Sequence, residues 1–379
     1  MSNGVLITRE PIVNQQRAIT ANRIIVHAAN VPQAVQALEA LRPQWPTIHP
    51  VFISLGRLVP TADLLAWSPP ENTLIEIPAP ALQYTQIQEL VARFNAAGTP
   101  LALSWYQPGT AWPEGVDCRF TLADINKVAS PLNCPGLPLA WGLTDVPAFE
   151  RAVLSGYTGA AGWFFLKGVT PTKQLAPSHA QIVHLLNLVR NDSDISEIEA
   201  ALKRDVSLPY KLLRYINSAG FGLMVEVQSF RHAVTILGRD KLNKWLSLLL
   251  CSASNDPSAP AVMQAAIARG RMMETLGAQF FDKAQLDNLF ITGAFSLLDV
   301  LLGSEIGVVL EQMTLPEPIQ DALLNGEGVY AGLLKLAIAS EGFMPDELRG
   351  QAEALGLTVQ QVSSALLEAV AFADTLSFG

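Results

Sequence analysis

At 379 residues the chain is long enough for two domains of ordinary size, each with its own core. Hydrophobic residues make up 50% and charged residues 16%, which excludes extended disorder. The net charge of −9 is uneven: residues 1–170 hold 10 Lys+Arg against 11 Asp+Glu, and residues 171–379 hold 15 against 23, so the acidic second half disfavours direct nucleic-acid binding. No apolar run approaches the roughly 20 residues of a membrane span and no signal sequence opens the chain, so a cytoplasmic protein is expected. Cys118, Cys134 and Cys251 share no C-x-x-C spacing and read as buried thiols, not as a disulfide framework or a zinc ribbon.

Through the first half, short apolar segments alternate with helical ones. Residues 51–55, 73–77, 100–103, 137–140 and 162–166 read as strands. Residues 81–97 read as a helix with Ile87, Leu90, Val91 and Phe94 on one face and Gly98 behind it, and residues 147–154 as another, ended by Ser155 and Gly156. Such alternation predicts parallel strands joined by right-handed crossovers. A small or incomplete TIM-like (β/α) barrel is the leading architecture and an open doubly wound sheet its competitor. The Pro171 to Pro177 stretch marks a composition break, giving domains 1–170 and 171–379.

Beyond it the pattern is helical, starting with Ile182, Leu185, Leu186 and Val189. Ser196 with Glu199 fits a capping box. Pro209 opens a helix bearing Leu212, Leu213 and Ile216 before Gly220 and Gly222; Ser229 opens another with Phe230, Ala233, Val234 and Leu237, closed by Gly238; Asp240 caps a third. Each has a single apolar stripe to bury, so a compact all-helical domain follows. Two later stretches stand out: residues 288–302, an apolar helix containing Gly293, and residues 321–338, which run through Gly326-Glu327-Gly328.

A barrel places its active site at the C-terminal ends of its strands. Those positions are poor in catalytic residue types: Gly56 and Arg57, then Ser104, Trp105 and Tyr106, then Trp141 and Gly142, with Glu76 as the one carboxylate. A single carboxylate neither holds a hydrated divalent cation tightly nor divides acid and base roles. Of the five histidines only His232 lies in the helical core pattern, where it reads as a cap or hydrogen-bonded core residue.

Arg9-Glu10-Pro11-Ile12-Val13, Phe52-Ile53-Ser54-Leu55, Leu74-Ile75-Glu76-Ile77, the stretch Gly98 to Tyr106, Arg119-Phe120-Thr121-Leu122 and Gly159 to Phe165 together resemble the EAL family of cyclic-di-GMP phosphodiesterases, in the short form fused to an HDOD domain. The resemblance implies a scaffold with its chemistry removed. The family's signature Glu falls at Arg23, its metal-binding Asn at Ser54, its Asp pair at Ser104 and Trp105, its Lys at Arg119, a later Glu at Trp141 and its Gln at Ala161, while Glu76 survives. Arg23, Arg119 and Trp105 either grip a phosphate-bearing nucleotide without cleaving it or fill the space of the lost site. In the second half, Asp205 to Pro209, Leu212 to Ala219 and Ser229 to Gly238 resemble the HDOD domain, a relative of metal-dependent HD phosphohydrolases, with the His-Asp pair replaced by Ser296 and Leu297.

The expectation is therefore a non-catalytic bacterial signal-transduction protein without cofactor or metal, acting through contacts with other signalling proteins near cyclic-di-GMP. Its expected partner surfaces are the linker at Pro171 to Pro177 and the grooves beside Asn217, Phe221, Leu223 and Met224. A cyclic-di-GMP receptor, or a residual phosphodiesterase centred on Glu76, are the rivals.

Overall fold

The computed structural model describes residues 4–168, 171–175, 177–202, 256–342 and 344–376, with positions 238, 242–243 and 246–247. The helix starts expected at Pro209, Ser229 and Asp240, together with Asn217, Phe221, Leu223, Met224, His232 and Cys251, lie outside the described residues. The chain divides into two compact units, one of residues up to Gly168 with Ala339–Leu367, the other of residues up to Ile338 that follow Gly168, with those beyond Leu367.

The first unit is built on a closed eight-stranded barrel. Strands β1 (Leu6–Asn14) and β2 (Ile19–His27) form a hairpin whose tight turn is tied by the Asn14 carboxamide oxygen, which accepts from the backbone N–H groups of Gln16 and Ala18 at 3.0 Å each. Strands β3 (Val51–Ser54), β4 (Thr73–Pro78), β5 (Leu101–Tyr106), β6 (Phe120–Asp124), β7 (Leu137–Trp141) and β8 (Gly159–Ala161) follow, parallel from β2 onward, and β8 closes on β1. Two expectations are corrected. The barrel is complete, and it is not wholly parallel: a four-residue turn cannot carry a crossover, so β1 runs against both neighbours.

The strand expected at 162–166 is also corrected. Phe164–Leu166 form a 3₁₀ turn with Phe164 stacked on Phe149 at 4.8 Å, and the closing strand lies just before it. A Cβ on Gly159 would stand 2.3 Å from the Val13 carbonyl oxygen, so the close approach of β8 to β1 demands small residues that carry little strand signal.

Helices lie along the chain between the strands. α1 (Val31–Ala40) is capped by Asn30, whose side chain accepts from the Gln33 N–H. The helix expected at 81–97 is broken at Tyr84 into a 3₁₀ turn, Ala79–Gln83, and α2 (Thr85–Ala96). α3 (Val146–Leu154) begins behind an Asp145 cap that accepts from the Ala148 N–H at 2.8 Å. Inside the barrel each strand gives one side chain to an apolar layer: Ile12, Ala21, Phe52, Leu74, Ala102, Leu122, Leu139 and Ala161. That layer is a packed floor, and polar residues rest on it.

In the second unit, α4 (Pro177–Arg190) is followed by α5 (Ile195–Leu202). The cap of α5 is Asp194, which accepts from both the Ser196 N–H at 2.8 Å and its hydroxyl at 2.5 Å, so Ser196 is inside the helix and the expected capping box is not the one formed. Helices Ala259–Gly277 and Lys283–Phe295 cross where Gly270 meets Gly293; a Cβ on Gly293 would lie 2.5 Å from the Gly270 nitrogen. The long helix expected over 288–302 is interrupted at Ser296 and Leu297 before Leu298–Leu302. The stretch 321–338 opens as a π turn, Asp321–Asn325, stops at Gly326 with φ +65°, and resumes as Ala331–Ala339. Cys118 is buried as expected, whereas Cys134 is half-buried. Among the described residues no single helix is long and apolar enough to cross a membrane.

Candidate functional site

Above the apolar floor, toward the C-terminal ends of the parallel strands, sits a buried ion network. β1 and β2 pair Glu10 with Arg23, and β2 pairs Arg23 with Phe52 of β3, so the guanidinium enters from the second strand and faces the third and fourth. Arg23 Nε and Nη2 donate to the two carboxylate oxygens of Glu76 at 2.6 and 2.8 Å, Nη1 donates to Glu10 at 2.6 Å, and Nη2 also reaches the Ser54 hydroxyl at 3.3 Å. Arg23, Glu10 and Glu76 are each no more than 5% exposed. The fork on Glu76 is the planar two-point geometry that arginine alone provides.

The electrostatics follow from burial. Burial alone would lower the Arg23 pKa, but the facing carboxylates of Glu76 and Glu10 outweigh it and hold the guanidinium above its ordinary value. Glu10 is pushed above the ordinary carboxylate value, first by burial and further by the Glu76 charge, against the pull of Arg23 and of the hydrogen bond from Trp141. With two acids around one base, burial favours a proton on Glu10.

Ser104 is buried at the end of β5, beside Pro78 of β4. Trp105 and Trp141 meet edge to face, centroids 4.8 Å apart. Thus Arg23, Ser54 and Glu76 come together, with Glu10 on the other side of the guanidinium. Two expected site residues do not join them. Ala161 belongs to the apolar floor. Arg119 precedes β6 at the opposite end of the barrel, with an exposed side chain 3.9 Å from Asp117.

Two carboxylates were missed. Glu10 was visible only as one of two adjacent charges, with Arg9, in a largely apolar strand, and its meaning depends on the cross-strand partner Arg23. Asp124 closes β6 in register with Trp141, where it accepts from the Asn126 backbone and carboxamide N–H groups. A further cavity of about 560 Å³ lies at the rim, between His27, Arg57 and the first turn of helix Pro345–Ala354 with Asp346 and Arg349. His27 Nε2 is 2.9 Å from the Thr8 hydroxyl. Its pKa is pushed down to about 4 by burial and then by the Arg57 and Arg349 charges, against Asp346.

The residues at the mouth do not fit a pair of divalent cations, because Glu10 and Glu76 are both engaged by one guanidinium and Asp124 is bonded to Asn126. Among the described residues no three His, Cys, Asp or Glu side chains are grouped to hold a metal ion. In the helical unit Ser296 caps its helix, its hydroxyl donating to the Gly293 carbonyl at 2.7 Å while Arg269 Nη1 donates to that hydroxyl at 3.0 Å. Leu297 beside it is buried in the core.

Residues 174–298 match the family model described as the HDOD domain. The chain is 24% identical over 392 aligned residues, 96% of its length and 91% of the relative's, to the cyclic di-GMP phosphodiesterase CdgJ of Vibrio cholerae. It is 26% identical over 224 residues to the uncharacterized protein YuxH of Bacillus subtilis, covering 58% of this chain and 54% of that one. Among solved structures, the EAL domain of FimX from Pseudomonas aeruginosa bound to c-di-GMP is similar at 14% identity and a TM-score of 0.34, over 44% of this chain and 91% of that one.

These findings overturn the expectation that the chain is not an enzyme, since a relative alike over almost the whole length is named a phosphodiesterase. Counting residues against the EAL pattern presumed that chemistry needs that ligand set, and their replacement does not by itself establish loss of catalysis. The same relative ties the chain to cyclic-di-GMP signalling. The chain is a closed eight-stranded barrel followed by a helical region that carries an HDOD domain.

Proposed function

We propose that this is a cytoplasmic protein of cyclic-di-GMP signalling and that its barrel meets the cyclic dinucleotide at the mouth around Arg23 and Glu76. The observation that carries this reading is the likeness to a named cyclic di-GMP phosphodiesterase across both the barrel and the helical region. The buried network supports a phosphate at that place. Glu76 holds the guanidinium plane of Arg23 by two parallel bonds, so an oxyanion arriving at the mouth would meet a cation that is already oriented. Ser54 and Ser104 add hydroxyl groups at the same level.

The test is calorimetric titration of the full chain with micromolar cyclic-di-GMP, alongside an assay for the linear dinucleotide with Mg²⁺ or Mn²⁺. Binding that is weakened by Arg23→Gln is expected, and product formation abolished by Glu76→Gln would assign hydrolysis to the same site. Neither heat nor product would overturn the reading and transfer the barrel's role to contacts with other signalling proteins.

A further inference from the structure

We propose that Trp105 and Trp141 form an aromatic platform that receives a flat purine base at the barrel mouth. The inference rests on the cyclic-di-GMP reading and deepens it by naming the part of the ligand these residues take. Trp105 belongs to β5 and Trp141 to β7, with β6 between them in the barrel order, yet their rings lie 4.8 Å apart at 71°. The contact therefore spans the end of β6.

Two backbone features bring Trp105 there. The β5–β6 register breaks between Leu103 and Tyr106, an irregularity of the kind that re-aims a side chain beside a site. Trp105 itself has φ +58°, a left-handed conformation that is costly for a bulky residue and persists only where its surroundings impose it. Trp141 is the fixed half of the pair. Its ring packs against the barrel's inner core.

The result is an indole 44% exposed, between Ser104 at 3% and Tyr106 at 4%, held next to the Glu10–Arg23–Glu76 network. A rigid, half-wet aromatic face next to convergent polar groups has the makeup of a ligand site. Stacking on such a face accepts any flat base, because every base offers a π surface. Under the cyclic-di-GMP reading that base is a purine, with the base on the tryptophans and the phosphate toward Arg23.

The test titrates the full chain with cyclic-di-GMP, GMP and ribose 5-phosphate, followed by calorimetry. Both base-bearing ligands are expected to bind and ribose 5-phosphate, which has nothing to stack, to bind far more weakly. Trp105→Ala should weaken the base-bearing ligands by about 5- to 150-fold, whereas Trp105→Phe, which keeps a ring, should stay within about three-fold. If Trp105→Ala fails to fold, the fluorescence quenched by GMP in the wild type and missing in Trp105→Phe gives the same information, and no difference between the two overturns the platform. Cyclic-di-GMP binding that is indifferent to Trp105→Ala overturns the platform and leaves the signalling reading standing. GMP binding that depends on Trp105, without any cyclic-di-GMP binding, does the reverse, and no binding of any base-bearing ligand overturns both.

Discussion

The barrel mouth and the Ser296 region, the two places the sequence singled out as altered metal sites, are built differently. At the mouth the charge stays: one guanidinium is held by two carboxylates, all three almost wholly out of water. In the helical unit the charge is gone from the two matched positions; a hydroxyl closes a helix and a leucine joins the core. A buried ion network is only as sound as its full complement of partners, because a charge left alone in low dielectric costs more than the pair contributes. A hydroxyl bonded to a helix carbonyl carries no such liability. The mouth should therefore be the fragile site and the Ser296 region the tolerant one.

The sharpest way to break this contrast is Glu76→Ala, which strips Arg23 of its two-point partner. A loss of about 3–5 kcal/mol in urea denaturation is expected. Replacing the whole network at once, as Glu10→Leu with Arg23→Met and Glu76→Leu, should cost less than the single change, since no charge is then stranded. A triple variant less stable than Glu76→Ala would refute the account.

How much of this was legible in the sequence differs along the chain. Strands β3, β4, β5 and β7 begin within a residue of their expected positions, because short apolar runs bounded by proline or glycine leave few other readings. β8 was not legible: its Gly159-Ala160-Ala161 carries no strand preference, and its identity comes from how closely it must pass Val13. Arg23 and Glu76 could be singled out as unusual, but their bonding could not, since 53 residues separate them and only the barrel's register brings them together. Arg119 failed for the complementary reason. A local match of four residues does not say which end of a strand Arg119 occupies, and here it lies just before the start of β6. Around Ser196 the right chemistry was assigned to the wrong residue, because Asp194 two positions earlier competes for the same N–H groups.

Within the helical unit the tolerant character should end at the helix crossing. Gly293→Ala would drive a methyl to 2.5 Å from the Gly270 nitrogen, a backbone atom that cannot step aside without separating the two helices. A loss of about 1–3 kcal/mol is expected in thermal or urea unfolding, the range for overpacking a well-filled contact. If Gly293→Ala were as stable as the wild type, the close crossing of Ala259–Gly277 and Lys283–Phe295 would be wrong.

A smaller effect separates the rim from the mouth by the sign of its pH dependence. His27 is held near 4, below its ordinary 6.5, so between those values the unfolded chain binds the extra proton and stability rises with pH, being lost as pH falls toward 4. Glu10 is shifted upward from 4.5, so the folded chain keeps the extra proton and stability falls as pH rises above that value. His27→Gln should flatten the rising limb of the stability–pH curve between about 4 and 6.5, and Glu10→Gln the falling limb above about 4.5. The two variants moving the same limb would show that these groups do not titrate as the geometry requires.

The smallest expected effect is at Ser296. Ser296→Ala removes the hydroxyl that donates to the Gly293 carbonyl and accepts from Arg269, while the helix break at Ser296 and Leu297 stays sterically unchanged. The Gly293 carbonyl keeps the Ser296 backbone N–H as a donor at 3.3 Å, so it is not orphaned. A loss of about 0.5–1.5 kcal/mol, the net worth of an ordinary side-chain hydrogen bond, is the expected outcome in urea unfolding. A cost as large as that of Glu76→Ala would mean that Arg269 depends on this hydroxyl as Arg23 depends on its carboxylates, and the two rebuilt sites would then be alike in kind.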